Sequence, residues 1–368
     1  MKKLIAALLL VSMLLSVFVA CGSADTNNKD DQDNNVTDGS QNNSVNDGSQ
    51  GNGTTDSSQI NDGTVETKEP VLSVAETTAL GLNQVLVLEL DYVPVVEGDA
   101  LTFTSSDAEV VACDSVKGTL TGRKEGTATI TIENPDKTLT VTTEVTVTDP
   151  LKGATAAFFG DSICMASTHD KEHQWWGWAG RINAAYGLKS YINKGVDGAS
   201  LSTCRPSNRI VSQVKSVTTK YDFIILHGGT NDGMDSAPIG EMSDSYNVAD
   251  FDTTTFAGGL EELFYYARKQ NPNAYIGYIV NFKIEATAWG PLMTVRGMAP
   301  YYAVAKQICK KWGIPYLDLF SDVEFGKAFK HTDKKLVPDG VHPSSAGYDI
   351  LYPYIADFMR QLTYNSKA

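Results

Sequence analysis

Two short polar segments of the sequence carry the side chains that nucleophilic acyl transfer requires. GDS at residues 160–162 supplies a serine hydroxyl, and DGVHP at residues 339–343 supplies an imidazole with a carboxylate three residues before it. A serine hydroxyl is a poor nucleophile at neutral pH unless a base removes its proton. We therefore predict that Ser162 is the nucleophile and His342 its base, with Asp339 accepting the imidazole Nδ1–H and fixing the tautomer.

Acyl transfer also places negative charge on the carbonyl oxygen, which preorganised hydrogen-bond donors must stabilise. The Ser162 N–H lies at a predicted helix N-terminus, where backbone N–H groups lack partners within the helix. Gly198, in NKGVDG at 193–198, can bring a second N–H close because it has no side chain. The Asn231 amide, in GTND at 229–232, is a third donor. Ser162, Gly198 and Asn231 are therefore the predicted oxyanion hole.

Each of these residues also has an ordinary structural role. Ser162 could cap a helix, Gly198 could form a tight turn, and Asn231 could stabilise a turn. A nucleophile, a base, an orienting carboxylate and three donors in one chain favour the catalytic interpretation, because every requirement of acyl transfer is then met.

The elements that must position these residues follow from the hydrophobic pattern of residues 151–368. Continuous apolar runs, which suit strands covered on both faces, alternate with amphipathic helical patterns such as FAGGLEELFYYARKQ at 256–270. This alternation predicts a doubly wound α/β domain with a mostly parallel sheet and a site at the carboxyl ends of its strands. The predicted strands are residues 154–159, 190–193, 222–229, 274–280 and 315–320, and the last predicted helix lies within residues 344–362.

Four blocks in this domain resemble the SGNH hydrolases, also called GDSL-type esterases. The blocks are GDSI, NKGVDGAS, GGTNDG and DGVHPSSAGY, in the family's order, with isoleucine replacing the leucine of GDSL. The resemblance implies a flavodoxin-like three-layer domain over 151–368 that needs no metal and no cofactor. It implies the same roles for Ser162, Gly198, Asn231, Asp339 and His342. Residues 233–253 are predicted to be an insertion that shapes a substrate pocket.

Residues 71–150 have a different, all-β pattern. TATITI at 127–132 and LTVTTEVTVT at 139–148 alternate apolar and polar residues with period two, and other short runs precede them. The pattern predicts a small β-sandwich. The run from TFTSSD to GTATITI resembles the group 2 bacterial Ig-like domain, which implies an accessory module on a surface protein. Both a spacer and a glycan-binding role remain open for it.

The N-terminal segment predicts export and anchoring. Residues 1–21 have a basic start, an apolar stretch and a terminal Phe-Val-Ala-Cys that resembles a bacterial lipobox. The resemblance implies cleavage before Cys21 and a lipid on its sulfur; ordinary secretion or an uncleaved anchor is the alternative. Residues 22–70, rich in Asn, Asp, Gly and Ser, are predicted to be a disordered tether. We expect the protein on the extracellular face of the bacterial cell membrane.

The charge distribution argues against nucleic acid as a partner, and the cysteines have no spacing that points to a site. The net charge of −14 comes from residues 22–150, which hold 6 basic and 23 acidic side chains. No basic stripe suggests nucleic acid as a partner. Cys164 and Cys204 could approach each other because both follow candidate site segments. Buried thiols are nevertheless favoured over disulfides for the four cysteines after Cys21: Cys113, Cys164, Cys204 and Cys309.

Two weaker features keep alternative interpretations. His169 and His173 could bind zinc if they lie on a helix, but no third ligand is evident, and we expect no metal. The tryptophans either stack on a sugar or belong to the core: Trp175, Trp176, Trp178 and Trp289.

These observations together predict a cell-surface serine esterase that removes O-acyl groups through an acyl-Ser162 intermediate. The expected substrate is an O-acetyl ester on carbohydrate, because an exported protein with an accessory module meets polysaccharides. A lipase or lysophospholipase is the first alternative. A noncatalytic glycan-binding surface protein is the second.

Overall fold

The computed structural model of the chain describes residues 69–166 and 177–364. The signal segment, most of the tether, His169 and His173, and Trp175 and Trp176 lie outside the described residues. What is described is an all-β part followed by an α/β part. None of the helices in these two ranges has the length and apolarity needed to cross a lipid bilayer.

Short strands in two main sheets make up the all-β part. One sheet has the order β2-β9-β8-β5, the other has the order β3-β7-β6, and β1 pairs with β4. Alternate residues of β8, Ala128, Ile130 and Ile132, are buried, which confirms the period-two prediction. They share one core with Leu120 of the second sheet. The strands are β1 (Val71–Ser73), β2 (Thr77–Gly81), β3 (Val85–Val87), β4 (Asp91–Val93), β5 (Thr102–Ser105), β6 (Val111–Cys113), β7 (Thr119–Gly122), β8 (Gly126–Glu133) and β9 (Thr140–Thr148).

The α/β part contains five parallel strands with helices between them. The strands are β10 (Thr155–Phe159), β11 (Ser190–Asn193), β12 (Phe223–His227), β13 (Tyr275–Val280) and β14 (Tyr316–Asp318). The helices of the described residues are α1 (Ser162–Met165), α2 (Gly177–Tyr186), α3 (Ile210–Lys215), α4 (Thr230–Met234), α5 (Phe256–Gln270), α6 (Val295–Trp312), α7 (Val323–Ala328) and α8 (Ser345–Tyr364).

The strand order of this sheet is β11-β10-β12-β13-β14, with every pairing parallel. This is the flavodoxin-like order, in which the chain leaves the first strand to one side and then crosses to the other. The predicted α/β fold class is therefore confirmed. In doubly wound sheets a ligand crevice is expected where the strand order changes direction, which here lies beyond the carboxyl ends of β10, β11 and β12, where three of the four blocks begin.

Two groups of helices pack on the sheet and complete the three layers. Helix α2 packs against α8, while α5 packs against α3 and α6. Helix α5 begins at the predicted residue because Thr255 accepts a hydrogen bond from the Gly258 N–H at 3.2 Å. The last predicted helix corresponds to α8, in which the side chains of Leu351 and Ile355 are fully buried. Strands of the sheet that carries the site are contacted by helices α2, α3, α6 and α8.

The all-β part is attached to the α/β part at the end of α8. The Arg360 guanidinium, almost fully buried, donates two hydrogen bonds to Asp149 at 3.0 and 2.8 Å. The Tyr364 hydroxyl donates to the Leu82 carbonyl at 2.7 Å. Asp149 shortly precedes the start of β10, whereas Ser162 follows its end. The attachment therefore lies near the amino-terminal ends of the parallel strands, at the end of the sheet opposite the one that carries the four blocks.

Candidate active site

Ser162 is the first residue of the short helix α1, directly beyond strand β10. The helix cap is Asp161, whose side chain accepts a hydrogen bond from the Ile163 N–H at 3.0 Å. The capping role that Ser162 could have had therefore belongs to its neighbour. The Ser162 hydroxyl instead lies 2.9 Å from His342 Nε2.

His342 joins Ser162 to Asp339 through its two ring nitrogens. His342 Nδ1 lies 2.6 Å from Asp339 Oδ2. The other carboxylate oxygen accepts the backbone N–H groups of Val341 and His342, at 2.9 and 2.7 Å. With Nδ1–H donating to the carboxylate, Nε2 carries the lone pair that can accept the Ser162 proton. The structure thus brings the three predicted residues into one hydrogen-bonded chain.

The surroundings of Asp339 keep its carboxyl ionised. Partial burial works to raise the pKa of Asp339, but the hydrogen bonds from the His342 ring, the His342 N–H and the Val341 N–H outweigh it and hold the pKa well below the ordinary value. A carboxylate that stays charged can accept the imidazole Nδ1–H and stabilise an imidazolium. Asp339 therefore has the charge state that its predicted role needs.

The turn that carries Asp339 and His342 depends on a glycine between them. Gly340 has φ +85°, in the left-handed region, and a Cβ there would lie 2.7 Å from the Glu285 carbonyl oxygen. This conformation lets Asp339 and His342 emerge from one turn within hydrogen-bonding distance of each other. The geometry of this turn explains why Asp339 and His342 are three residues apart in the sequence.

Gly198 and Asn231 lie on the segments that follow β11 and β12, the two neighbours of β10 in the sheet. The Asn231 amide nitrogen donates to the Ala199 carbonyl at 2.9 Å, so the two segments are tied together. An amide has two N–H groups, and this bond uses one of them. The second N–H is available to a developing oxyanion. The predicted donors and Ser162 thus all follow the carboxyl ends of neighbouring strands, at the same end of the sheet.

Several buried groups around the site were not predicted. Asp232, fully buried, accepts the Leu201 and Ser202 N–H groups at 2.9 and 2.8 Å, which holds the segment that carries Gly198. His227 Nδ1 lies 3.2 Å from Oδ1 of Asp161, the residue before Ser162, and both side chains are buried. Asp232 directly follows Asn231 in the third block, so its place in the sequence could have indicated that it belongs to the site. His227 sits inside an apolar strand, where the sequence offers no partner for it.

The described tryptophans divide between core and surface. Trp178 is buried against His227 and Tyr348, with ring centroids at 5.3 and 6.1 Å, and belongs to the core. Trp289 is 41% exposed and meets His342 edge to face, with centroids 5.6 Å apart. Trp289 is therefore the tryptophan, of those described, that is available to substrate beside the proposed base.

The middle of the segment at residues 233–253 contacts helix α6. The Ser243 and Ser245 carbonyls accept hydrogen bonds from the Lys311 ammonium on α6. Only the first residues, Met234 and Asp235, contact Arg205, which touches the site. The pocket-shaping role of this segment stays a prediction, and its start is the part that contacts a neighbour of the site.

The predictions for the cysteines and for zinc can be compared with the described residues. The four described cysteines are free thiols, and burial raises the pKa of the Cys164 thiol well above its usual value. Within the described residues no group of three or more His, Cys, Asp or Glu side chains could hold a metal ion. The zinc alternative at His169 and His173 concerns residues outside those described.

Comparisons with known proteins cover the α/β part. A family model described as GDSL-like Lipase/Acylhydrolase family matches residues 158–350. No curated protein sequence matches the chain significantly. A solved protein from Lactobacillus plantarum is 21% identical, with a TM-score of 0.48, over 57% of this chain and 98% of its own.

Two further solved structures have similar coverage. A protein from Chitinophaga pinensis described as a possible lipase is 23% identical, with a TM-score of 0.45, over 57% of this chain and 99% of its own. A variant of the acetyl xylan esterase Axe2 from Geobacillus stearothermophilus is 22% identical, with a TM-score of 0.38, over 56% of this chain and 95% of its own.

Proposed function

The chain belongs to the GDSL-like lipase/acylhydrolase family, and on that premise we propose that it is a serine esterase acting through an acyl-Ser162 intermediate. The observation that carries this proposal is the hydrogen-bonded chain from Asp339 through His342 to Ser162, at 2.6 and 2.9 Å. These distances suit proton transfer from the hydroxyl to the imidazole. Ser162 is the nucleophile, His342 the base and Asp339 the orienting carboxylate.

Hydrolysis proceeds in two halves. Ser162 Oγ attacks the ester carbonyl while its proton passes to His342 Nε2, and the imidazolium then protonates the leaving alcohol. Water, deprotonated by His342, attacks the acyl-enzyme and releases the acid, and the serine recovers its proton. In both halves the oxyanion accepts hydrogen bonds from the Ser162 N–H, the Gly198 N–H and the Asn231 amide. These donors act most strongly in the tetrahedral state, which is where they lower the barrier.

The proposed substrate is an O-acetyl ester carried by carbohydrate. Trp289 supports a sugar as the alcohol portion, because its exposed ring lies against the ring of His342, the residue that protonates the leaving alcohol. An aromatic face suits the apolar face of a sugar ring. The Trp289 loop is held by hydrogen bonds from the Ala286 N–H to the Met293 carbonyl and from the Trp289 N–H to the Ala286 carbonyl, at 2.7 and 2.9 Å.

A panel of esters with the full chain and two variants tests this substrate assignment. We expect faster hydrolysis of acetyl than of butyryl or longer 4-nitrophenyl esters, together with acetate release from acetylated oligosaccharides. An aromatic contact is worth about 1 kcal/mol, so Trp289→Ala should lower kcat/KM for acetylated oligosaccharides about fivefold relative to 4-nitrophenyl acetate. Trp289→Phe is the matched control and should retain most of this preference. Preference for long acyl chains would favour the lipase alternative.

The proposed location is the outer face of the cell membrane, reached by the signal at residues 1–21 and a lipid on Cys21. Residues 22–70 act as the tether, and the all-β part at residues 71–150 acts as the Ig-like accessory module. The attachment of that module opposite the four blocks supports a spacer role, because a binding face there would be far from the ester.

Replacing Cys21 should release the protein from the membrane. We expect the wild-type chain in the membrane fraction until detergent is added, and Cys21→Ser in the soluble or secreted fraction, because a Ser cannot carry a thioether-linked lipid. Fractionation of the expressing bacterium with immunodetection measures this, and Cys113→Ser is the matched control. Equal membrane retention of Cys21→Ser would contradict lipid anchoring and favour an uncleaved apolar segment.

A further inference from the structure

One arginine touches both segments that carry the proposed oxyanion donors. Arg205 Nη1 donates to the Gly198 carbonyl at 3.1 Å and to Asn231 Oδ1 at 3.0 Å. The rest of the guanidinium grips Asp235, with Nε 2.6 Å from Oδ2 and Nη2 2.8 Å from Oδ1. Arg205 belongs to none of the four sequence blocks, and the reaction as described above does not use it.

We propose that Arg205, fixed by Asp235, is the positioning residue of the oxyanion hole. This inference rests on the proposed esterase function and adds a residue to it. The planar guanidinium can present one edge to Asp235 and its remaining nitrogen to the two segments, so all of these contacts form at once. Arg205 acts by holding Gly198 and Asn231 and by the positive charge that it places beside them, so its role requires no contact with the substrate.

The contact with Asn231 sets both the orientation and the strength of this donor. The amide oxygen accepts from Arg205, and one amide N–H donates to the Ala199 carbonyl at 2.9 Å. With these two bonds made, the amide cannot rotate, and its second N–H keeps a fixed direction. A charged donor on the oxygen also draws electron density from the nitrogen, which makes that N–H a better donor.

The contact with Gly198 explains why this position is a glycine. Gly198 has φ +72°, and a Cβ there would lie 2.7 Å from Arg205 Nη1. A side chain at this position would therefore strain the backbone and displace the guanidinium. The Asn208 amide donates to the Asp197 carbonyl at 2.7 Å, which helps to fix the peptide plane that carries the Gly198 N–H. Each of the two peptide planes that flank Gly198 is thus fixed by a hydrogen bond to its carbonyl, one from Asn208 and the other from Arg205.

The charge on Arg205 is also directed toward the hole. Asp235 binds the Nε and Nη2 edge, whereas Nη1 faces Gly198 and Asn231. The Asp235 carboxylate therefore neutralises the side of the guanidinium that points away from Gly198 and Asn231. The positive charge of Nη1 stays closer to these two residues than the negative charge of Asp235. A tetrahedral oxyanion would gain from this arrangement more than a neutral ester would, which is the difference that raises kcat.

Variants of Arg205 and Asp235 in the full chain test the proposal, with 4-nitrophenyl acetate as substrate. Arg205→Ala should lower kcat about tenfold to a hundredfold, less than the loss of a donor itself, with little change in KM. Arg205→Lys keeps the charge but not the planar fork, so it should recover only part of kcat. Asp235→Asn should give a smaller loss. Arg205→Ala should cost much less in an Asn231→Ala background, because part of its effect passes through that amide.

A transition-state probe separates positioning from general stability. Trifluoroacetone adds to a reactive serine as a hemiketal with an oxyanion, and its affinity can be followed by ¹⁹F NMR. Its binding should weaken in Arg205→Ala by the same factor as kcat/KM. Arg209→Ala is the matched control, because Arg209 anchors the same segment through the Leu201 carbonyl at 2.7 Å and pairs with Glu262. It should lower the thermal midpoint with a far smaller effect on kcat and on probe affinity.

The outcomes test the positioning role of Arg205 separately from the proposed esterase function on which it rests. Wild-type kcat and probe affinity in Arg205→Ala, with Ser162→Ala inactive, would overturn the positioning role and leave the esterase intact. An equal loss of probe affinity in Arg205→Ala and Arg209→Ala would also overturn it, because the effect would then be general loosening of the segment. Full activity of Ser162→Ala would instead overturn the esterase assignment itself.

Discussion

Ser162→Ala is expected to lower kcat for 4-nitrophenyl acetate by about four to six orders of magnitude, the loss typical of removing a catalytic serine. The physical reason is that no other oxygen nucleophile replaces the hydroxyl that lies 2.9 Å from His342 Nε2. The fold should survive, because the α1 cap is the Asp161 side chain and not Ser162. Steady-state kinetics and a thermal melt of the same preparation measure both effects.

Covalent labelling makes the result specific to one residue. A fluorophosphonate probe should modify the wild-type chain once, and peptide mass spectrometry should place the label on Ser162. Ser162→Ala should take no label. Ser212→Ala, which truncates an exposed serine on α3, is the matched control and should keep wild-type labelling and kcat. Wild-type turnover in Ser162→Ala would end the assignment of a serine esterase at this site.

His342→Ala should cost about four orders of magnitude in kcat, because the base that takes the serine proton and returns it to the alcohol is lost. A residual rate over water should remain, since the oxyanion donors do not depend on the imidazole. Stopped-flow acylation measures the first half of the reaction directly. The acylation rate should fall together with kcat, because the uncharged hydroxyl is a poor nucleophile.

His331→Gln is the matched control for the histidine prediction. His331 lines a small cavity with Phe325, Phe329 and Lys330 and is not a member of the hydrogen-bonded chain of Asp339, His342 and Ser162. It should keep kcat within a small factor of the wild type. A similar loss in His331→Gln and His342→Ala would contradict the assigned base, as would rapid acylation in His342→Ala.

The amino-acid sequence by itself determined the fold class and the residues of the hydrogen-bonded chain. The predicted strand 222–229 contains β12, Phe223–His227, and every residue of β12 is buried, as expected for a mainly apolar strand covered on both faces. Asp339 and His342 could be paired from spacing alone, since one turn delivers both. Ser162 could be added, although it lies 180 residues away, because sites of doubly wound sheets form at strand ends.

Only the tertiary structure decided how these residues are supported. It assigned the helix cap to Asp161, placed the Trp289 ring against His342, and brought Arg205 to Asn231, 26 positions away in the sequence. It also separated a core tryptophan, Trp178, from an exposed one. Local patterns encode strands, helices and turns, but such partners meet because the strand order β11-β10-β12 brings three separate segments to one edge. That order follows from the packing of the whole domain, which no short stretch of sequence contains.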